Sequence, residues 1–275
     1  MRRRMGSVLA VIGIGYALVV GGLFLVQRSL LYFPAGGVPA PAETLVPEMA
    51  VVHLATADGL DLDSWYAPAA ARRPTIVYFC GNGGHIGMRD AKIRPYLDAG
   101  FGVLLVGYRG YGDNPGSPSE KGLYADARAA LGFLRGSGLA PATWVLYGES
   151  MGSGVAVQIA LEQSETGNPV GAVVLEAPFT SIGDVAQAHY PFVPARWLVR
   201  DRFDSASKIA RVGSPVYVVH GEGDRIVPVR YGRRLFAAAV EPKEMRVVSG
   251  AGHNDLYDFD VPEGVIAVLD RTFRD

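Results

Sequence analysis

The chain has 275 residues, of which 49% are apolar and 19% charged, and carries a formal net charge of −1. That balance excludes a disordered chain and a basic nucleic-acid-binding surface, so no nucleic-acid partner is expected. The one cysteine, Cys80, excludes an intrachain disulfide and a cysteine-based zinc site.

Residues 8–26 contain no charge. As a helix this run reaches roughly 28 Å, the thickness of a bilayer's hydrocarbon core. A secretory signal has a shorter apolar core, about 7–15 residues, followed by a small-residue cleavage site. The run here is longer and leads into Gln27-Arg28-Ser29-Leu30-Leu31-Tyr32-Phe33, which reads as an interfacial anchor. Residues 1–33 are therefore expected to be a retained transmembrane anchor. Arg2, Arg3 and Arg4 outnumber Arg28, which predicts a single pass with a cytoplasmic N-terminus. The globular part is then extracytoplasmic, or periplasmic in a bacterium. Residues 34–48 are proline-rich and predict a short, extended linker.

From residue 49 to 275 the pattern is that of one α/β domain. Ala50–Ala55 and Leu60–Tyr66 read as strands joined by an Asp58-Gly59 turn. Thr75–Cys80 is a continuous apolar strand, followed by a helix over Met88–Asp98 and a strand over Val103–Val106. Ser117-Pro118-Ser119-Glu120 has capping-box spacing with proline at the first helical position, and starts the next helix. Strand Trp144–Tyr147, helix Val155–Glu162 and strand Ala172–Leu175 come next. Strand Val216–His220, helix Tyr231–Ala239, strand Met245–Val248 and helix Pro262–Phe273 complete the chain. Fully apolar strands alternating with helices predict a mostly parallel sheet covered on both faces. Sites in such sheets form at the C-terminal strand ends.

Residues 148–152 read Gly-Glu-Ser-Met-Gly, between a strand and a helix. A G-x-S-x-G in that context predicts a sharp turn that lifts the serine hydroxyl clear of the sheet as a nucleophile. Ser150 then needs a base and an acid from other strand ends. Asp224 follows strand Val216–His220, and His253 follows strand Met245–Val248, each in a glycine-rich loop. His253 is expected to take the Ser150 proton and Asp224 to orient the imidazole. Glu222 and Asp255 remain alternatives for the acid. An oxyanion hole needs two backbone N–H donors. Met151, after the nucleophile, and Asn82, in the Gly81-Asn82-Gly83-Gly84 loop after strand Thr75–Cys80, are the expected pair. His220 reads as a hydrogen-bonded strand end, and Glu149 as a structural polar contact. The five histidines show no metal spacing, and the glycines after Cys80 match no dinucleotide or phosphate fingerprint, so no metal or cofactor is expected.

The segments Gln27–Pro34, Gly81–Gly84, Tyr108–Gly112, Gly148–Gly154, His220–Pro228 and Gly250–Asp255 together resemble a membrane-anchored branch of the α/β-hydrolase domain family. That branch includes bacterial serine aminopeptidase-like hydrolases and eukaryotic depalmitoylase relatives. The resemblance implies an α/β-hydrolase fold with a small cap over about 178–210. It also implies Ser150, Asp224 and His253 as a catalytic triad, with Asn82 and Met151 at the oxyanion hole. Cys80-Gly81 departs from the His-Gly usual at that place. The expected activity is ester or thioester hydrolysis through an acyl-serine, on a small acyl ester, thioester or lipid substrate near the membrane. A serine aminopeptidase-like amide hydrolase and a non-catalytic membrane-tethered scaffold are the alternatives. Phe179, Tyr190, Phe192 and Trp197 either line an apolar acyl groove or pack the cap onto the body.

Overall fold

The computed structural model describes residues Arg2–Arg274. Met1 and Asp275, at the outer ends of the expected anchor and domain, lie outside the described residues, as do the side chains of Arg2 and Arg3.

Eight strands form one sheet: β1 (Ala50–Ala55), β2 (Asp61–Ala67), β3 (Thr75–Phe79), β4 (Gly102–Val106), β5 (Trp144–Glu149), β6 (Ala172–Glu176), β7 (Val216–Gly221) and β8 (Lys243–Val248). Their spatial order is β8-β7-β6-β5-β3-β4-β2-β1. All neighbours from β4 to β8 run parallel, and only the β1–β2 hairpin and the β2–β4 pair are antiparallel. Every residue of β3, β4, β6 and β7 is buried, which accounts for their unbroken apolar sequences: helices cover both sheet faces. β1 alternates because it is an edge strand with one wet face.

The covering helices are α2 (Asp90–Asp98), α3 (Glu120–Gly136), α4 (Met151–Glu165), α7 (Val229–Ala238) and α8 (Val261–Thr272). Between β6 and β7, α5 (Ile182–His189) and the short α6 (Ala195–Leu198) build the cap. In front of all of these lies α1 (Arg2–Val26), whose stretch Arg4–Val26 is long and apolar enough to cross a membrane.

One local expectation changes. The cap residue of α3 is Ser119, not Ser117: its Oγ accepts from the Gly122 N–H at 3.1 Å. The helix starts at Glu120, one residue after that cap, and the Glu120 carboxylate accepts instead from the Tyr124 hydroxyl at 2.8 Å and the Arg202 N–H at 2.6 Å. Residues 34–48, expected as a short extended linker, are also fastened to the body. Phe33–Pro34 pair in parallel with Gly83–Gly84, Val46 is fully buried, and the Leu45 N–H donates to Asp90 at 3.1 Å. A proline-rich run needs no partners of its own to stay extended, but its few apolar side chains gain by burial against the body.

Candidate active site

Three strand ends supply the site. β5 ends at Glu149, and α4 begins at Met151, so the chain reverses within Ser150 alone. Ser150 adopts φ 49° and ψ −114°, a region that costs a non-glycine residue about 1–3 kcal/mol. The reversal needs glycine on both sides. A Cβ on Gly152 would lie 2.0 Å from the Phe79 carbonyl oxygen, and one on Gly148 would lie 2.5 Å from the Gly152 carbonyl oxygen. The turn is held by the Ser150 N–H, which donates to the Glu176 carbonyl at 2.8 Å.

The loops after β7 and β8 bring two side chains to this turn. His253 Nε2 lies 3.0 Å from Ser150 Oγ, and His253 Nδ1 lies 2.6 Å from Asp224 Oδ2. Asp224 is buried, and its Oδ1 accepts from the Ile226 and Val227 N–H groups at 2.8 and 2.7 Å. Burial alone would raise its pKa. Hydrogen bonds from His220 and His253, and the electrostatic pull of the His253 ring, outweigh that and hold the carboxyl well below the usual carboxylate range. An ionised Asp224 accepts only, so the Nδ1 proton is donated to it and Nε2 is left with a lone pair facing the Ser150 hydroxyl. Glu222 instead accepts from Ser249 Oγ, and Asp255 from the Gly252 N–H, so neither serves His253. His220 is buried at the end of β7, with Nε2 donating to the Val227 carbonyl at 2.7 Å.

Beneath Ser150 lies an ionic hub. Glu149 accepts from Arg89 Nε at 2.7 Å, Lys92 Nζ at 3.1 Å and the Tyr78 hydroxyl at 3.2 Å. Lys92 also reaches Glu176 at 2.7 Å, and Tyr147 donates to the other Glu176 oxygen at 2.7 Å. Burial would raise the Glu149 pKa, but the charges of Lys92 and Arg89 lower it to about 2. Burial pushes the Tyr78 and Tyr147 phenols well above their usual range, so both remain donors. The hub grips the loop after β3: Arg89 Nη2 donates to the Gly83 carbonyl at 3.1 Å, and the Gly81 N–H points to Glu149 at 3.4 Å. The expectation for Glu149 named a polar contact without its partners. The sequence signal for the rest was Glu176, a carboxylate closing an otherwise apolar buried strand, which demands a cation.

Asn82 is held from three sides. Its side chain donates to the Leu31 carbonyl at 2.7 Å, and its own carbonyl accepts from the Phe33 N–H at 2.8 Å and the Tyr111 hydroxyl at 2.9 Å. Tyr111 belongs to the Tyr108–Gly112 segment, whose Arg109 ties Asp58 and the buried Asp126 together. Cys80 is buried, and burial pushes its thiol up to about 12, which makes it inert.

Ser150, Met151 and Asn82 open on a cavity of about 560 Å³, within the range of small-ligand sites. Phe179 and Tyr190 line it. Phe192 and Trp197 do not: they are 63% and 77% exposed on the outside of the cap. The lining also includes residues of the expected anchor, among them Val20, Leu23 and Phe24 of α1.

Residues 70–205 match the family described as serine aminopeptidase, S33. The chain is 42% identical over 257 residues to the uncharacterized protein Rv2307c of Mycobacterium tuberculosis, covering 92% of this chain and 90% of that one. It is 31% identical to the lysophosphatidylserine lipase ABHD12 of Danio rerio, over 66% of this chain and 51% of the lipase, so the chain spans about half of that relative. Among solved structures, the Pyrococcus furiosus esterase Pf2001 superposes with a TM-score of 0.69 at 19% identity, covering 88% of this chain and 99% of the esterase. That likeness is one of fold.

Proposed function

We propose, from the fact that this chain belongs to the α/β-hydrolase family, that it is a membrane-anchored serine hydrolase. It cleaves carboxylic ester or thioester bonds of acyl or lipid-like substrates through an acyl-serine intermediate. The observation that carries this reading is the hydrogen-bonded chain Ser150–His253–Asp224 at the mouth of an apolar cavity.

In the first step Ser150 Oγ bonds to the substrate carbonyl carbon while its proton passes to His253 Nε2. Asp224 stabilises the imidazolium so formed. The N–H groups of Asn82 and Met151, which donate no hydrogen bond among the described residues, receive the developing oxyanion. Collapse breaks the bond to the alcohol or thiol, which leaves with the proton from His253. Water then attacks the acyl-serine, gives a proton to His253, and releases the acid as that proton returns to Ser150 Oγ.

An aminopeptidase would need a carboxylate facing the substrate's free amine. Asp201 is the acidic residue lining the cavity, and it is already engaged by Arg28 at 2.8 and 3.2 Å. That favours ester chemistry, as do the lipase and esterase among the similar proteins. The domain division follows: residues 1–33 anchor, 34–48 connect, and 49–275 form the hydrolase domain with its cap at about 178–210. The arginine asymmetry puts the domain on the extracytoplasmic side.

The test is labelling by a fluorophosphonate. Wild type is expected to be labelled and Ser150→Ala to be unlabelled, with ester hydrolysis reduced about a millionfold in kcat. Hydrolysis that survives in the alanine variant would remove Ser150 as nucleophile.

A further inference from the structure

We propose that α1 is a wall of the substrate cavity as well as an anchor. The acyl chain of a membrane lipid then enters sideways from the leaflet, between α1 and the cap, and reaches Ser150 without crossing water. The proposal rests on the reading of Ser150 as nucleophile.

One cavity joins the two. At one end it is lined by Ser150 and Asn82, and at the other by Val20, Leu23 and Phe24 of α1. Those three positions share one helix face, at spacings of three and four. Ile182 and Val185 of α5 also line it. An acyl chain laid between the two helices would meet aliphatic and aromatic side chains on both sides.

The contacts of α1 and the turn that follows it with the cap are specific. Arg28 forms a two-point ion pair with Asp201, and the Gln27 side chain accepts from the Arg200 N–H at 2.7 Å. Higher on the helix, the Tyr16 hydroxyl donates to the Phe192 carbonyl at 2.9 Å. Tyr16 lies ten residues before Val26, at the end of α1, which is roughly 15 Å along a helix. The apolar stretch runs from Arg4 to Val26, so Tyr16 sits near its middle. If α1 spans the bilayer, the tip of the cap lies beside it within hydrocarbon.

The chemistry of the tip suits that depth. Phe192 and Trp197 are largely exposed, and Tyr190 is 40% exposed. In water this patch is a liability, and against lipid it is at home. A tyrosine hydroxyl in hydrocarbon needs a partner, and so does a loop carbonyl; the Tyr16–Phe192 bond satisfies both. Arg196 in α6 is neutralised by Asp184 at 2.9 Å. The occupant is a lipid chain, and not a partner helix, because the space between α1 and α5 continues to Ser150.

Two measurements on the full chain in phosphatidylcholine vesicles test this. In the first, Leu23→Trp fills the α1 side of the cavity, and kcat/KM is compared for a hexadecanoyl and an acetyl ester. The ratio of long to short is expected to fall by about tenfold or more. A ratio unchanged from wild type overturns the proposal. The second measurement does not depend on the variant's folding. Trp65 and Trp144 are buried, so the difference between wild type and Trp197→Phe isolates the emission of Trp197. Brominated acyl chains are expected to quench it and aqueous iodide to leave it. Quenching by iodide and not by brominated lipid overturns the proposal. Wild type that fails to label with a fluorophosphonate would instead sink the nucleophile assignment, whatever Trp197 reports.

Discussion

The floor beneath Ser150 and the wall facing it are built on opposite principles. The floor is a set of buried charges and phenols: Glu149, Glu176, Arg89, Lys92, Tyr78 and Tyr147, each in hydrogen-bond contact with another. The wall is aliphatic and aromatic, from α1 and α5. Directional bonds in a low-dielectric interior hold atoms in one geometry, which is what a turn carrying a reacting oxygen needs. Apolar contacts are non-directional, which suits the flexible acyl chain proposed to lie there. On the proposed reading, hydrolysis of a membrane lipid draws on both within a few residues of one serine.

Asp224→Asn leaves the shape of the site but forces the wrong imidazole tautomer, and should lower kcat about ten-thousandfold without unfolding the protein. Circular dichroism with single-turnover kinetics separates the two. A fall of less than about tenfold would mean that Asp224 does not orient the base.

The floor should respond as a fold element and as a catalytic support together. Arg89→Met leaves Glu149 buried with part of its charge uncompensated, which typically costs about 3–5 kcal/mol. It also frees the Gly83 carbonyl, so kcat should fall while the KM of a short ester changes little. Chemical denaturation and steady-state kinetics on the same variant would show whether stability and turnover move together. A loss of stability with kcat intact would detach the hub from the oxyanion loop.

Acid should find the floor before the wall. The Glu149 pKa is lowered to about 2 in the folded chain, against about 4.3 for a free glutamate. A carboxylate with a depressed pKa contributes stability that is present above its unfolded value and lost as pH falls towards its folded value. Stability should therefore decline between about pH 4.3 and 2, and Glu149→Gln should flatten that decline. Melting at a series of pH values reads it, and an unflattened curve would place the acid lability elsewhere. At the small end, Trp197→Ser on the outside of the cap should change stability in detergent by no more than about 0.5 kcal/mol, measured by the thermal midpoint.

Much of this was legible in one dimension because its signals are local. Apolar runs located the six strands from Thr75 onward, and the Asp58-Gly59 turn between two half-polar segments located the first two. The turn at Ser150 declared itself through Gly148 and Gly152, which no other residue could replace without collision. The loops of Asp224 and His253 were found by their position after strands. Ser117 misled because a capping box is a local pattern, and Glu120 was already held by Tyr124 and Arg202. For residues 34–48, composition marked a short extended connection but carried no sign that Val46 is buried against the body.

The sequence by itself determined which candidate side chains follow strand ends, where the backbone must reverse, and that one helix holds an apolar stretch long enough to cross a membrane. It could do so because backbone sterics and burial leave marks at a spacing of a few residues. Only the tertiary structure decided that Arg89 and Lys92 close the charge of Glu149 and Glu176, that Asn82 is held by Leu31, Phe33 and Tyr111, and that α1 lines the same cavity as Ser150. Those pairings join residues many turns and strands apart, and nothing in the neighbourhood of either partner along the chain records the other.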